Sequence, residues 1–140
     1  MKKKPNEWFS FAETDLQAAK FLKNMDPIPI GIICYHCEQT AEKMLKGVLF
    51  EHDVEPPKTH DLVQLCKQCC EFNKSFELLF FACNDLTRYG VSVRYPSDNE
   101  ATIDDMNVAI KCAERIYDYV TNLLQLDEDE EETQEFDITM

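Results

Sequence analysis

The sequence has few residues that break helices and no long apolar segment. Gly occurs three times and Pro six times in 140 residues, and hydrophobic residues make up 44%, which excludes fibrous and low-complexity disordered chains. No apolar run approaches the ~18 residues that a membrane-spanning helix needs, and no signal-peptide core follows Met-Lys-Lys-Lys-Pro at the start. The sequence therefore predicts a single soluble, cytoplasmic domain with no membrane partner.

Basic residues are also scarce. The chain has 14 Lys and Arg against 27 Asp and Glu, a net charge of −13. Eight of these acids, with no base, fall in residues 127–140, which leaves 19 acids against 14 bases in residues 1–126. An acidic body argues against an extended grip on duplex phosphates, but a local pocket for one nucleotide is compatible with it. The charge run predicts a disordered acidic tail at 127–140, after a domain at 1–126.

The seven cysteines are an odd number in a chain that looks cytosolic, so we predict free thiols. Cys34 and Cys37, and again Cys66 and Cys69, have the spacing of zinc ligands, and four thiolates are the ligand set of a structural zinc ion. The same spacing places each pair on the apolar stripe of a helix, where Cys behaves as a small hydrophobe. We interpret both pairs as core residues and predict no metal site.

Apolar residues recur at steps of three and four over most of the chain, which is typical of amphipathic helices. Prolines separate the first three helices, Thr59, Ser75 and Thr102 are predicted caps, and Asp105 completes a capping box with Thr102. Short links favour an all-α antiparallel bundle. The five predicted helices cover residues 5–25, 30–50, 59–72, 75–88 and 102 onward.

Arg94-Tyr95-Pro96 and a pair of lysines are candidate ligand contacts. A guanidinium forks onto phosphate oxygens and a tyrosine ring stacks on a base, and Arg88 lies upstream of both. Lys43 and Lys46 project from neighbouring faces of the second helix. Each has a structural alternative, in which Arg94 pairs with acids of the second helix such as Glu38 or Glu42 and the lysines are solvated.

The chain contains three histidines, His36, His52 and His60, and none belongs to a standard catalytic signature. Gly-rich phosphate loops, His-Glu-x-x-His and Gly-x-Ser-x-Gly are all missing from the sequence. His60 with Asp61 opens the third helix, where capping is the structural interpretation and ligand contact the alternative.

Four segments, in a set order, carry a resemblance to a known family: Trp8 with Ala12 and Asp15-Leu16, the run Cys34 to Lys43, Thr59-His60-Asp61-Leu62, and Arg94-Tyr95-Pro96. They resemble the HEPN family, the higher-eukaryote and prokaryote nucleotide-binding domain, over residues 5–124. The resemblance implies a bundle of four to five helices similar to the helical domain of kanamycin nucleotidyltransferase, and commonly a homodimer. It also implies a minimal nucleotidyltransferase partner, a pairing that acts in related systems as toxin and antitoxin.

Many HEPN proteins are metal-independent RNases with an Arg-x4-6-His motif, and this chain departs from that pattern. No arginine has a histidine four to six residues later, so general acid and base help for attack by a 2′-hydroxyl lacks a donor there. We therefore predict a non-catalytic module that binds a nucleotide, RNA or a nucleotidyltransferase, with no cofactor and with ATP or GTP as candidate ligands. The alternative is a divergent RNase that uses His60 or His36. The predicted nucleotide contacts are Arg94, Tyr95, Lys43, His36, His60 and Arg88.

Overall fold

The computed structural model describes residues 6–88 and 101–139, with side chains up to residue 125. No strand occurs in this part of the chain, and the predicted all-α bundle is confirmed. Among the described helices, none is long and apolar enough to cross a membrane. The elements are α1 (Glu7–Leu22), α2 (Ile30–Glu51), α3 (Leu62–Cys70), a 3-10 helix (Lys74–Leu79), α4 (Phe80–Thr87) and α5 (Ile103–Thr139).

Helix α2 forms the centre of the bundle and packs against all four other α-helices. Its inward residues, among them Ile33, Ala41 and Leu45, are fully buried. Burial of an Ile or Leu side chain contributes roughly 1.5–3 kcal/mol, and burial of an Ala side chain contributes less. Its start is the predicted one and its end differs by one residue, because prolines stand directly before it and shortly after it.

Asn6 fixes the start of α1 against the end of α2. Its side-chain oxygen accepts from the amide of Trp8 at 3.1 Å, while its Nδ2 donates to the Gly47 carbonyl and to Glu51 Oε1, both at 2.9 Å. Gly47 permits the close approach of the helices, since a Cβ there would lie 2.4 Å from the ring of Phe9. The same side chain, that of Asn6, therefore caps α1 and holds it against the end of α2.

Two helix pairs are antiparallel, as the short links predict. Asp15, farther along α1, meets His36 in the first half of α2, whereas the start of α1 meets the end of α2. Similarly, Arg88 at the end of α4 meets Asp105 near the start of α5.

Thr59 and Ser75 are wrong as predicted caps, each by two residues, whereas the capping interpretation of Asp61 is confirmed. Asp61 caps α3, accepting from the amide of Gln64 at 3.2 Å, and Thr59 only supports it by accepting from the amide of Asp61. Asn73 caps the next element and accepts from the amide of Ser75 at 3.0 Å. In both places the chain uses an Asx side chain, which ranks at or above Ser and Thr as a cap. The predicted fourth helix is also divided, since residues 74–79 form a 3-10 helix before α4 begins.

Helix α5 begins with the predicted capping box. The amide of Asp105 donates to Thr102 Oγ1 at 3.1 Å, and the amide of Thr102 donates to Asp105 Oδ2 at 2.9 Å. Hydrogen bonds from Thr102 lower the pKa of the Asp105 carboxyl. The helical backbone continues to Thr139, past the start of the predicted disordered tail, because extending a formed helix needs no new nucleus and Glu is a good helix former. A domain boundary at residue 126 stays a prediction.

Candidate functional site

Asp15 is a carboxylate on the otherwise apolar stripe of α1, between the fully buried Ala12 and Ala19. Its Oδ1 lies 2.9 Å from His36 Nδ1 and its Oδ2 lies 2.5 Å from Lys43 Nζ. Positions 36 and 43 are about two helical turns apart and so share a face of α2. We call Asp15, His36 and Lys43 the Asp15 unit.

A second carboxylate on α2 is held in the same way. Glu42 Oε2 lies 3.3 Å from Lys46 Nζ, and Glu42 Oε1 lies 2.7 Å from His60 Nδ1. The Glu42 and Lys46 side chains are only 6% and 8% exposed, whereas that of His60 is 67% exposed. A buried ion pair thus holds an accessible imidazole, and we call these three residues the Glu42 unit.

Both units combine a carboxylate, an ammonium and an imidazole. Each imidazole donates from Nδ1 to its carboxylate, which fixes the ring and leaves Nε2 without a partner in the described part of the chain. Such an Nε2 accepts a hydrogen bond when the ring is neutral and donates one when it is protonated. The carboxylate and ammonium charges cancel, so each unit gains net positive charge only when its histidine is protonated.

Aromatic rings lie next to both lysines. Lys43 Nζ is 6.0 Å from the ring centroid of Phe11, and Lys46 Nζ is 5.7 Å from that of Trp8, within range of cation–π attraction. Because Lys46 is also buried, it is not the solvated surface residue that the structural alternative described. Each ammonium is held by a carboxylate and a ring.

Glu38 extends the row of polar residues along α2. It lies one turn before Glu42 and is 1% exposed, and Gln39 Nε2 donates to its Oε2 at 2.7 Å. Thr40 is fully buried and donates to the carbonyl of His36 at 2.8 Å. We call the side of α2 that carries both units, together with Glu38 and Gln39, the polar face of α2.

The structure brings some of the predicted contacts together and separates others. His36 and Lys43 meet in the Asp15 unit, and His60 lies in the Glu42 unit rather than acting as a cap. Arg88 lies at the α4–α5 interface, with Nη2 3.5 Å from both Asp85 and Asp105. Arg94 and Tyr95, and so the predicted pairing of Arg94 with Glu38 or Glu42, lie outside the described residues.

The sequence named Lys46 as a candidate ligand contact, but the predicted nucleotide contacts did not include Lys46, Asp15 or Glu42. The available signal was position, since Asp15 interrupts an apolar stripe and Glu42 precedes Lys46 by four residues, the spacing of a helical ion pair. Neither pattern reveals burial. The partners of these carboxylates lie as many as 28 residues away in sequence.

The four cysteines of the two Cys-x-x-Cys pairs are fully buried, which confirms their interpretation as core residues. Burial raises the pKa of the Cys34 thiol to about 11 and also raises the pKa values of Cys37 and Cys69. In the described part of the chain, no cluster of three or more His, Cys, Asp or Glu is arranged to hold a metal ion. These thiols act as small apolar groups.

We expect the seven thiols to differ sharply in reactivity towards a thiol reagent at pH 8. Six are buried and Cys70 is partly exposed, and the thiolate is the reactive form. One equivalent should therefore react first in the native protein, mapped to Cys70 by mass spectrometry, and all seven in denaturant. Fast labelling of Cys34 or Cys37 in the native protein would contradict the packing described here.

The fold and site define a class of protein, a small antiparallel helical bundle whose central helix carries paired acids and bases. A model of the HEPN domain matches residues 5–123, so the chain belongs to the HEPN family. TT1696 from Thermus thermophilus is similar in structure, with 23% identity and a TM-score of 0.73 over 83% of this chain and 94% of that one. ST0689, an archaeal HEPN homologue, has 23% identity and a TM-score of 0.65 over 87% and 98% of the two chains. No curated protein matches.

Proposed function

We propose that this HEPN protein is a non-catalytic module that binds a nucleotide, or the end of an RNA, at the polar face of α2. The observation that carries the proposal is the Glu42 unit, in which a buried ion pair holds an exposed imidazole with a free Nε2. A protonated imidazole in that position donates a charge-assisted hydrogen bond to phosphate. His36 and Lys43 supply a second imidazole and an ammonium on the same helix.

Binding is favoured over cleavage because the chain lacks the spacing of arginine and histidine that related RNases use for catalysis. General acid–base cleavage of RNA needs a proton donor and a proton acceptor at the reacting atoms, most often an imidazole. The Arg-x4-6-His spacing that supplies one in related RNases is missing from the sequence. Arg94 is still proposed to contact the phosphate, and Tyr95 the base. Arg88 is also still a proposed nucleotide contact.

The proposal predicts calorimetric binding of at least one ligand among AMP, ATP, GTP and a short oligoribonucleotide. His60→Ala should weaken binding by about tenfold, the equivalent of one charge-assisted hydrogen bond. His52→Ala is the matched control, because His52 stacks on Phe72 with centroids 4.1 Å apart and belongs to neither unit. If no ligand binds, or if both variants bind like the native protein, the proposal fails.

A homodimer and a minimal nucleotidyltransferase partner, in a toxin–antitoxin pair, belong to the same proposal. Exposed apolar side chains between the end of α1 and the start of α2, led by Phe21 at 72% and Met25 at 50%, offer surface for such contacts. Sedimentation should give twice the monomer mass. A minimal nucleotidyltransferase should be encoded beside this gene and should co-purify with the protein. A monomer that retains no such partner would remove this part of the proposal.

A divergent RNase is the second candidate, and one observation favours it. A carboxylate that orients an imidazole through Nδ1 also prepares Nε2 to act as a general base, and both units have this arrangement. Labelled RNA should then be cleaved by the native protein and by His52→Ala, but not by His60→Ala or His36→Ala. Intact RNA with native protein, or equal cleavage by all four proteins, would eliminate this candidate.

A further inference from the structure

A cleft of about 640 Å³ lies where the start of α1, the end of α2 and the following loop meet. This volume falls within the ~300–1,000 Å³ usual for small-molecule sites. An indole, a phenyl ring, a valine and two prolines line the cleft together with four charged residues. The lining residues include Trp8, Lys46, Asp53, Glu55 and Lys58.

The α1 side of the cleft is held in place before any ligand arrives. Trp8 is tied to the end of α2 through Asn6, which accepts from the Trp8 amide and donates to the Gly47 carbonyl. Lys46 Nζ lies 5.7 Å from the indole centroid and is itself fixed by Glu42. The indole of Trp8 therefore loses little conformational freedom when a ligand binds. This favours stacking of a planar ligand on the ring.

The loop side is fixed by backbone hydrogen bonds. The amide of Asp53 donates to the Phe50 carbonyl at 3.0 Å, and the amide of Val54 donates to the Leu49 carbonyl at 2.9 Å. Asp53 has a φ of 60°, a left-handed conformation that Asp and Asn adopt more readily than most residues. The turn places Asp53 in the lining of the cleft, together with Glu55.

The charges that line the cleft suit a ligand with hydroxyls and few negative charges. Asp53, Glu55 and Lys58 have neither an ion pair nor a side-chain hydrogen bond within the described residues. Carboxylates accept hydrogen bonds from ribose hydroxyls, and a lysine binds phosphate as a point charge. Because Lys46 is paired with Glu42, the two carboxylates of the cleft face one unpaired ammonium. This excess of negative charge repels a triphosphate more than a monophosphate.

We propose that this cleft binds the base and ribose of a nucleoside monophosphate, with the base against Trp8, the ribose near Asp53 and Glu55, and the phosphate towards Lys58 and His60. The inference rests on the proposed function and adds a base site and a ligand class to it. Lys46 connects the cleft to the Glu42 unit. It lines the cleft and pairs with Glu42, and Glu42 in turn holds His60.

The chain has a single tryptophan, so its emission reports directly on the cleft. Titration of the native protein with AMP should change Trp8 fluorescence along the same curve that calorimetry gives. ATP should bind about tenfold more weakly than AMP, since its further negative charges enter a cleft in which Asp53 and Glu55 outnumber the one unpaired lysine, Lys58. The double variant Asp53→Asn, Glu55→Gln should reduce or reverse that preference, and Asn keeps the left-handed backbone at position 53.

Two single variants separate the base contact from the phosphate contact. Trp8→Leu should weaken AMP binding by roughly 5- to 100-fold in calorimetry, as loss of stacking worth ~1–3 kcal/mol implies. Lys58→Met should weaken AMP more than adenosine, whereas Lys67→Met, an exposed lysine on α3 outside the cleft, should change neither. If circular dichroism shows that Trp8→Leu is unfolded, Lys58→Met and the double variant decide the result.

The outcomes distinguish this inference from the proposed function. AMP binding that leaves Trp8 emission unchanged and is unaffected by Lys58→Met would overturn the cleft and leave binding at the polar face standing. Binding of ATP at least as tight as that of AMP would also overturn the cleft assignment. Failure of AMP, ATP, GTP and RNA to bind at all would overturn the proposed function, and the cleft proposal with it.

Discussion

Glu42→Gln should lower the free energy of unfolding by about 3 kcal/mol or more. The substitution keeps the shape of the side chain but removes the anion that pairs with Lys46, whose side chain is 8% exposed. Breaking a buried ion pair by changing one partner costs roughly 3–5 kcal/mol, because the remaining charge is left uncompensated away from water. Urea denaturation of native and variant protein, with unchanged m-values, measures the difference.

Two controls show whether burial is the cause. Glu114→Gln removes the acid of an exposed ion pair with Lys20, in which both side chains are at least 40% exposed, and should cost at most about 1 kcal/mol. Replacing both Glu42 and Lys46 with Met should recover most of the loss, since no unpaired charge then remains. Equal losses for Glu42→Gln and Glu114→Gln would contradict the buried Glu42 unit.

Asp15→Asn should cost about 2 kcal/mol and also weaken nucleotide binding. The variant leaves Lys43 and His36 without their anion, but both side chains are about a quarter exposed, so water compensates more than at Lys46. Hydrogen bonds to charged groups contribute roughly 1.5–3 kcal/mol each. Denaturation gives the stability change, and calorimetry gives the loss of affinity that follows when His36 is no longer oriented.

Asp118→Asn on α5 is the matched control for this change, because Asp118 is an exposed aspartate outside both units. It should leave stability and affinity close to the native values. Asp15→Asn combined with Lys43→Met should be more stable than Asp15→Asn alone, since the unpaired ammonium is gone. If Asp15→Asn behaves like Asp118→Asn in both measurements, Asp15 does not organise the site.

Local patterns were sufficient to predict much of the fold. The bounds of α2, the capping box of Thr102 and Asp105 and the burial of the cysteine pairs all follow from signals within a few residues. The errors are also local. Asp61 and Asn73 are better caps than the predicted Thr59 and Ser75, and each lies only two residues away.

The site was harder to predict because its contacts are not local. Lys43 and Asp15 are 28 residues apart and Glu42 and His60 are 18 apart, so no periodicity connects them. On an isolated helix, Lys43 is a surface residue, and only docking of α1 gives it a partner. The cleft at Trp8 likewise depends on how the loop after α2 folds back, which the prolines indicate only as a turn.

The central claim is that a nucleotide meets the imidazole of the Glu42 unit, and the three histidines allow a direct test. Long-range ¹H–¹⁵N spectra resolve both ring nitrogens of each histidine while AMP is added at constant pH. We predict that Nε2 of His60 shifts to saturation along the calorimetric binding curve while His52, stacked on Phe72, stays unchanged. A His60 resonance that does not move at saturating AMP, or one that moves equally with that of His52, would contradict the account.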